Sequence, residues 1–102
     1  MPLKFSLEAQ FDLENISYYG HLKYGEKRAE LYLKGLEETL NIIMSYPEIG
    51  KVPFPDDEPS TRYIKSGVHM IYYEVSETDI FVNAIIHSRA NTDEILASRR
   101  HK

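Results

Sequence analysis

The apolar spacing of this chain changes once, and that change constrains the fold more than any other feature. Up to Tyr46, apolar residues recur at steps of three and four; from Thr61 on, they follow the spacing of strands. The stretch between carries four of the five prolines (Pro47, Pro53, Pro55, Pro59) and the acidic run Asp56-Asp57-Glu58. A period near 3.6 marks a helix with one buried face, and a period of two marks a half-buried strand. Helices first and strands afterwards predict an α+β domain, with the helices on one face of an antiparallel sheet. The 102 residues leave room for one domain, 1–102.

The elements follow from local signals. Leu3 to Phe5 alternates and reads as a short strand. Ser6 suits a helix N-cap, with Glu8 in the first turn. Ala9, Leu13, Ile16 and Tyr19 form one helix face, and Gly25 is a natural stop. A second helix is predicted from about Glu26 to Ser45, with Ala29, Tyr32, Leu33, Leu36, Leu40 and Ile43 as its apolar stripe; Pro47 ends it. So short a junction makes the two helices an antiparallel hairpin. Strands are predicted at about Thr61 to Lys65, Val68 to Val75 and Asp79 to Ser88, with turns at Ser66-Gly67 and Glu77-Thr78. The tail from Asn91 has room for one short helix anchored by Ile95 and Leu96. The expected order is β-α-α-β-β-β with that C-terminal helix.

A two-residue turn at Glu77-Thr78 pairs Val75 with Ile80. This register puts His69, Ile71, Tyr73, Val75, Ile80, Val82, Ala84 and Ile86 under the helices. Val68, Met70, Tyr72, Glu74, Phe81, Asn83, Ile85, His87 and Arg89 then share the other face. Left uncovered, that mixed face is a partner site, and a bulge would exchange the two faces. For the strand at Thr61 two settings stay open, with either Arg62 and Ile64 or Tyr63 and Lys65 toward the core.

Charge narrows the chemistry. Twelve Lys and Arg against sixteen Asp and Glu give a net charge of −4. Proteins that live on phosphate contacts usually carry the opposite sign, so any nucleic-acid contact is local. The absence of cysteine excludes disulfides, thiolate metal sites and a cysteine nucleophile. In the register above, His69 and His87 fall on opposite faces with no third ligand, so neither a metal nor a cofactor is expected. His69 reads as a satisfied core histidine. No apolar run reaches membrane-spanning length and no signal-peptide pattern opens the chain; the expected setting is the cytoplasm, away from the membrane. RNA cleavage by 2′-OH attack needs a base, an acid and cations, and His87, Arg89 and Arg62 are the candidates. Arg99, Arg100, His101 and Lys102 form a basic end, either a target contact or a plain disordered terminus.

Several pieces occur in a telling order: Ala9, Asp12, Leu13, Ile16 and Tyr19; Tyr24-Gly25, Ala29 and Tyr32-Leu33; Leu36; Pro47 with Gly50-Lys51; Arg62; Ser66 to Tyr73; and Ile86-His87-Ser88-Arg89. Together they resemble the RelE/ParE toxin superfamily over nearly the whole chain, and its ParE branch most closely. Lys51 replaces the family's arginine, Asn91 stands where aspartate is frequent, and the loop before Arg62 is acidic rather than basic. The resemblance implies a toxin of a type II toxin–antitoxin system, neutralised in a hetero-oligomer by a cognate antitoxin. For the ParE branch it implies poisoning of DNA gyrase by stabilising the cleaved complex; for the RelE branch it implies cutting mRNA on the ribosome. The antitoxin is expected on Val68, Met70, Tyr72, Phe81, Asn83 and Ile85, and the target on Arg62, His87, Arg89, Arg99 and Arg100. A gyrase inhibitor needs no catalytic residues; the ribonuclease alternative would use Arg62, His87 and Arg89. A third reading is a toxin fold that only binds its antitoxin.

Overall fold

Two residues shape the helical half. Ser6 is extended at φ −65° and ψ 163°, and its hydroxyl accepts the Ala9 amide at 3.0 Å. That cap separates strand β1 (Leu3–Phe5) from helix α1 (Leu7–Tyr24). Gly25, at φ +86°, ends α1 and directly precedes α2 (Glu26–Ser45). Only glycine takes this positive φ without cost, and the one-residue joint folds the helices back on each other. The computed structural model describes residues 1–52 and 61–100, without the side chain of Arg100. The acidic run Asp56-Asp57-Glu58 and the terminal His101 and Lys102 lie outside the described residues. The remaining elements are β2 (Thr61–Ser66), β3 (His69–Val75), β4 (Ile80–His87) and α3 (Thr92–Arg100).

The sheet order is β1-β4-β3-β2, antiparallel except where β1 lies parallel to β4. Val75 pairs with Ile80 as the turn residues predict, and the Ser76 amide donates to the Asp79 carbonyl at 2.9 Å. The register then breaks. Tyr73 faces Val82 but Tyr72 faces Ala84, so Asn83 is an extra residue on β4. Beyond this bulge the faces of β4 are exchanged. Ile85, expected on the open face, is 3% exposed and packs under the helices with Ile71, Tyr73, Leu36 and Ile43. Ala84 and Ile86, expected under the helices, lie on the opposite face with Tyr72.

That opposite face is not open. Leu96 of α3 completes a second cluster with Tyr72, Ala84 and Ile86, and Tyr63, Met70 and Ile95 pack around it. The tail therefore forms the short helix anchored by Ile95 and Leu96, and the disordered-terminus reading of Arg99 is corrected. The bulge has identifiable causes. The Asn83 carbonyl accepts from the Ser6 hydroxyl at 3.1 Å and from Arg99 Nη1 at 3.1 Å. The next amide but one, Ile85 N–H, donates to Asp12 Oδ2 at 2.9 Å. Three side chains from outside the sheet thus hold the ladder out of step.

Arg62 stands opposite Tyr73 and so shares its face, on the helix side. Its Nη1 donates to the carbonyls of Glu48 at 3.0 Å and Gly50 at 2.8 Å. This resolves the open orientation: Arg62 clamps the chain that leaves α2.

Candidate functional site

The hairpin tip and one end of the sheet enclose a groove of about 610 Å³. Tyr32 of α2 joins the two sides. Its hydroxyl accepts the Val68 amide at 3.0 Å and lies 2.6 Å from His69 Nδ1 and 3.2 Å from the Ser66 carbonyl. The β2–β3 turn fits tightly beneath it. Gly67 sits at φ +60°, and a Cβ there would come within 2.6 Å of the Tyr32 ring.

The bulge brings His69 and His87 together. They pair across β3 and β4, with ring centroids 5.5 Å apart and nearly perpendicular planes. The expectation that they occupy opposite faces is overturned, because it rested on an unbroken register. Among the described residues no group of three His, Cys, Asp or Glu is placed to hold a metal ion. His87 is exposed, and its Nδ1 accepts the Arg89 amide at 3.1 Å. In the neutral ring this leaves the proton on Nε2, free to donate outward. His69 is half-buried and bonded to Tyr32, a satisfied histidine as expected, though its neighbours differ from those predicted.

The rim of the groove is cationic and aromatic. Lys23 Nζ and the Arg28 guanidinium lie 5.4 and 5.6 Å from the Tyr24 ring centroid, within cation–π range. Tyr19, Tyr32 and Val68 also line it, over Ile16, Ala29 and Leu33. An apolar floor with a basic rim suits an apolar segment flanked by acidic groups. Sequence reasoning did not find this groove, because Lys23 and Arg28 look like ordinary surface residues until the hairpin sets them opposite the histidines.

Burial pushes the His69 pKa below its ordinary 6.5, the charge of His87 adds to this, and Asp12 opposes it. The neutral ring is therefore favoured in the fold, and the unfolded chain takes up the proton first. Stability tied to His69 is present above pH 6.5 and is lost as pH falls below it. Urea midpoints should decline between about pH 7.5 and about pH 5, and His69→Asn should flatten that decline. An unchanged slope would show that other groups carry it.

The other expected site residues divide sharply. Arg89 is exposed, two residues beyond His87, which lines the groove. Arg62 lies four residues along β2 from Ser66, the partner of His69, which is about 13 Å of strand. The ribonuclease trio is thus not assembled. Arg99 donates to Asp12 Oδ2 at 2.8 Å and Oδ1 at 3.0 Å, with both side chains mostly buried. The Asp12 hydrogen bonds raise the Arg99 pKa, against an opposing effect of burial. Nothing in the spacing could reveal a pair 87 residues apart. On the expected antitoxin face, Ile85 and Tyr72 are buried, Met70 and Asn83 are half-buried, and Val68 and Phe81 remain exposed at 48% and 37%. Val68 belongs to the groove; Phe81 sits near the far end of the sheet.

Comparison with known proteins agrees with this architecture. The family model described as "ParE toxin of type II toxin-antitoxin system, parDE" matches residues 3–92. Toxin ParE1 of Caulobacter vibrioides is 27% identical over 92 residues, covering 88% of this chain and 92% of the relative. Toxin ParE1 of Mycobacterium tuberculosis H37Rv is 30% identical over 89 residues, covering 86% and 90%. A solved structure described as the chromosomal ParDE TA system from P. aeruginosa superposes with a TM-score of 0.71 at 19% identity, over 85% of this chain and 95% of that one, which bears on the fold. The match from β1 to the start of α3 shows that this chain belongs to the ParE toxin family of type II toxin–antitoxin systems.

Proposed function

We propose that this ParE-family toxin inhibits DNA gyrase by binding it and stabilising its cleaved DNA complex, and that a cognate antitoxin neutralises it. The supporting observation is the position of Arg62. It is bonded to the Glu48 and Gly50 carbonyls, about 13 Å of strand away from the level of His87. Cleavage of RNA requires a base, an acid and a cation converging on one phosphate, whereas Arg62 stands apart from His87 and Arg89, and Arg99 is engaged with Asp12. An inhibitor that works by contact needs only a presented surface. The groove residues His87, Lys23 and Arg28, with exposed Arg89 next to His87, supply one. Exposed Val68 and the apolar groove floor offer the antitoxin its anchor. The site of action is the cytoplasm, and no helix among the described residues is long and apolar enough to cross a membrane.

The test is a supercoiling reaction with purified gyrase, plasmid and the full chain, scored for linear DNA. Inhibition with accumulating linear product is expected, weakened at least about tenfold by Arg89→Glu, the cost of reversing one interface charge. No inhibition by a chain that still captures its antitoxin would defeat the gyrase reading. Loss of ribosome-dependent mRNA cleavage in His87→Ala would then restore the ribonuclease alternative.

A further inference from the structure

Ala84, Ile85 and Ile86 are consecutive on β4, and all three are buried. A strand turns successive side chains to opposite faces, so an unbroken apolar run fits the sheet in either of two registers. In the observed register the ladder skips Asn83, and Met70 faces Ile86 while His69 faces His87. Ile85 then lies under the helices, with Ala84 and Ile86 on the other face. Continuing the Val75–Ile80 pairing without the skip sets Met70 opposite Ile85 and His69 opposite Ile86. That ladder puts Val82, Ala84 and Ile86 under the helices and turns Asn83, Ile85 and His87 outward. The helices meet apolar side chains of β4 in both.

Helix α3 separates the two. Leu96 covers Tyr72, Ala84 and Ile86, the set that only the bulged register places on the outer face. Arg99 Nη1 donates to the Asn83 carbonyl at 3.1 Å and to Asp12 Oδ2, which accepts the Ile85 amide. With α3 lifted, the bulged register leaves Ala84 and Ile86 to water, whereas the unbroken one leaves Asn83 and Ile85. The second buries one more apolar residue and restores the interrupted ladder. Ser6 and Asp12 stay in place, but Asp12 loses its cation. A nine-residue helix is marginal by itself, so α3 docks and leaves as a unit.

We propose that α3 sets the register of β4. Docked, it holds the bulge at Asn83 and presents His87 to the groove. Released, it lets the ladder close into the unbroken register, which turns His87 to the opposite face and out of the groove. A partner that takes hold of α3 therefore acts on the groove from the other side of the sheet, and by linkage a ligand held by His87 keeps α3 docked. This holds whichever partner the groove takes.

The test is nuclear Overhauser contacts across β3 and β4 in the isotope-labelled full chain. Wild type should show His69 against His87 and Met70 against Ile86. In the double variant Leu96→Asp, Arg99→Gln, with α3 lifted, contacts of His69 with Ile86 and of Met70 with Ile85 should replace them. Deleting Asn83 makes the unbroken ladder coincide with the docked pairing, so in that background the same double variant should keep His69 beside His87. A lifted α3 with His69 still against His87 in the chain that retains Asn83 overturns the proposal. If the double variant does not fold, amide exchange in the wild type decides. Ile86 and Leu96 should exchange within about threefold of each other, and both at least about tenfold faster than Tyr73, ahead of the bulge. Fast exchange at Leu96 with Ile86 as slow as Tyr73 would equally overturn it.

Discussion

Asp12→Ala is expected to lower the stability of this domain by about 2–4 kcal/mol, more than Arg99→Ala does. With roughly 4–8 °C lost per kcal/mol in a domain of this size, the melting temperature should fall by about 8–32 °C. The asymmetry follows from what each deletion leaves behind. Without Asp12, the Arg99 guanidinium keeps one carbonyl partner, at Asn83, and the Ile85 amide loses its acceptor. Without Arg99, the Asp12 carboxylate still accepts from Ile85. Both side chains retain some exposure, 16% and 20%, so water screens part of the loss and the deletion of Arg99 should cost only about 1–2 kcal/mol. The larger deletion should also loosen α3, seen as faster amide exchange around Leu96. Equal costs for the two variants would show that the Ile85 bond contributes nothing and that the bulge holds without it.

The same bond explains where the sequence was readable. Ser6, Gly25 and the Val75–Ile80 pair were legible because each is fixed by neighbours within a few residues. The family resemblance was legible because its pieces keep their order even where no single one is specific. The bulge at Asn83 was not legible. Its causes are Ser6, Asp12 and Arg99, which meet β4 from 77 and 73 residues before it and 16 residues after. Every misplacement downstream follows from that one residue. It moved Ile85 from the outer face to the core, brought His87 beside His69, and left Tyr72, Ala84 and Ile86 for α3 to cover. Arg99 was misread for a related reason: a basic residue in a terminal run looks solvated until its distant acid is known. The groove depends on this too, since His87, at the exchanged end of β4, is one of its lining residues.

Gly50→Ala is expected to cost about 3 kcal/mol or more, the high end for overpacking combined with a lost buried hydrogen bond. A Cβ at this buried position would sit 2.6 Å from Tyr73 Oη, 3.0 Å from its ring and 2.9 Å from the Tyr63 carbonyl oxygen. The tyrosine is itself fully buried, and the carbonyl is fixed because it accepts the Lys51 amide at 2.9 Å. Neither can move aside cheaply. Tyr73 Oη also accepts the Gly50 amide at 2.9 Å and donates to the Pro47 carbonyl at 2.8 Å. Tyr73→Phe removes both bonds and should cost about 2 kcal/mol. The two substitutions touch the same oxygen, so their costs should not add; Gly50→Ala should be cheaper in the Tyr73→Phe background by about 0.5–2 kcal/mol, and the remaining cost should reflect the Tyr63 carbonyl. Urea unfolding of the four proteins measures this coupling, and strict additivity would mean that the alanine methyl never meets the tyrosine oxygen. The outcome bears on how the family's sequence signature is read. Pro47, Gly50, Lys51, Arg62 and Tyr73 are joined by these bonds into one brace between α2 and the sheet. Their presence then reports that the fold is held at this joint, and the target must be sought among residues the brace does not use.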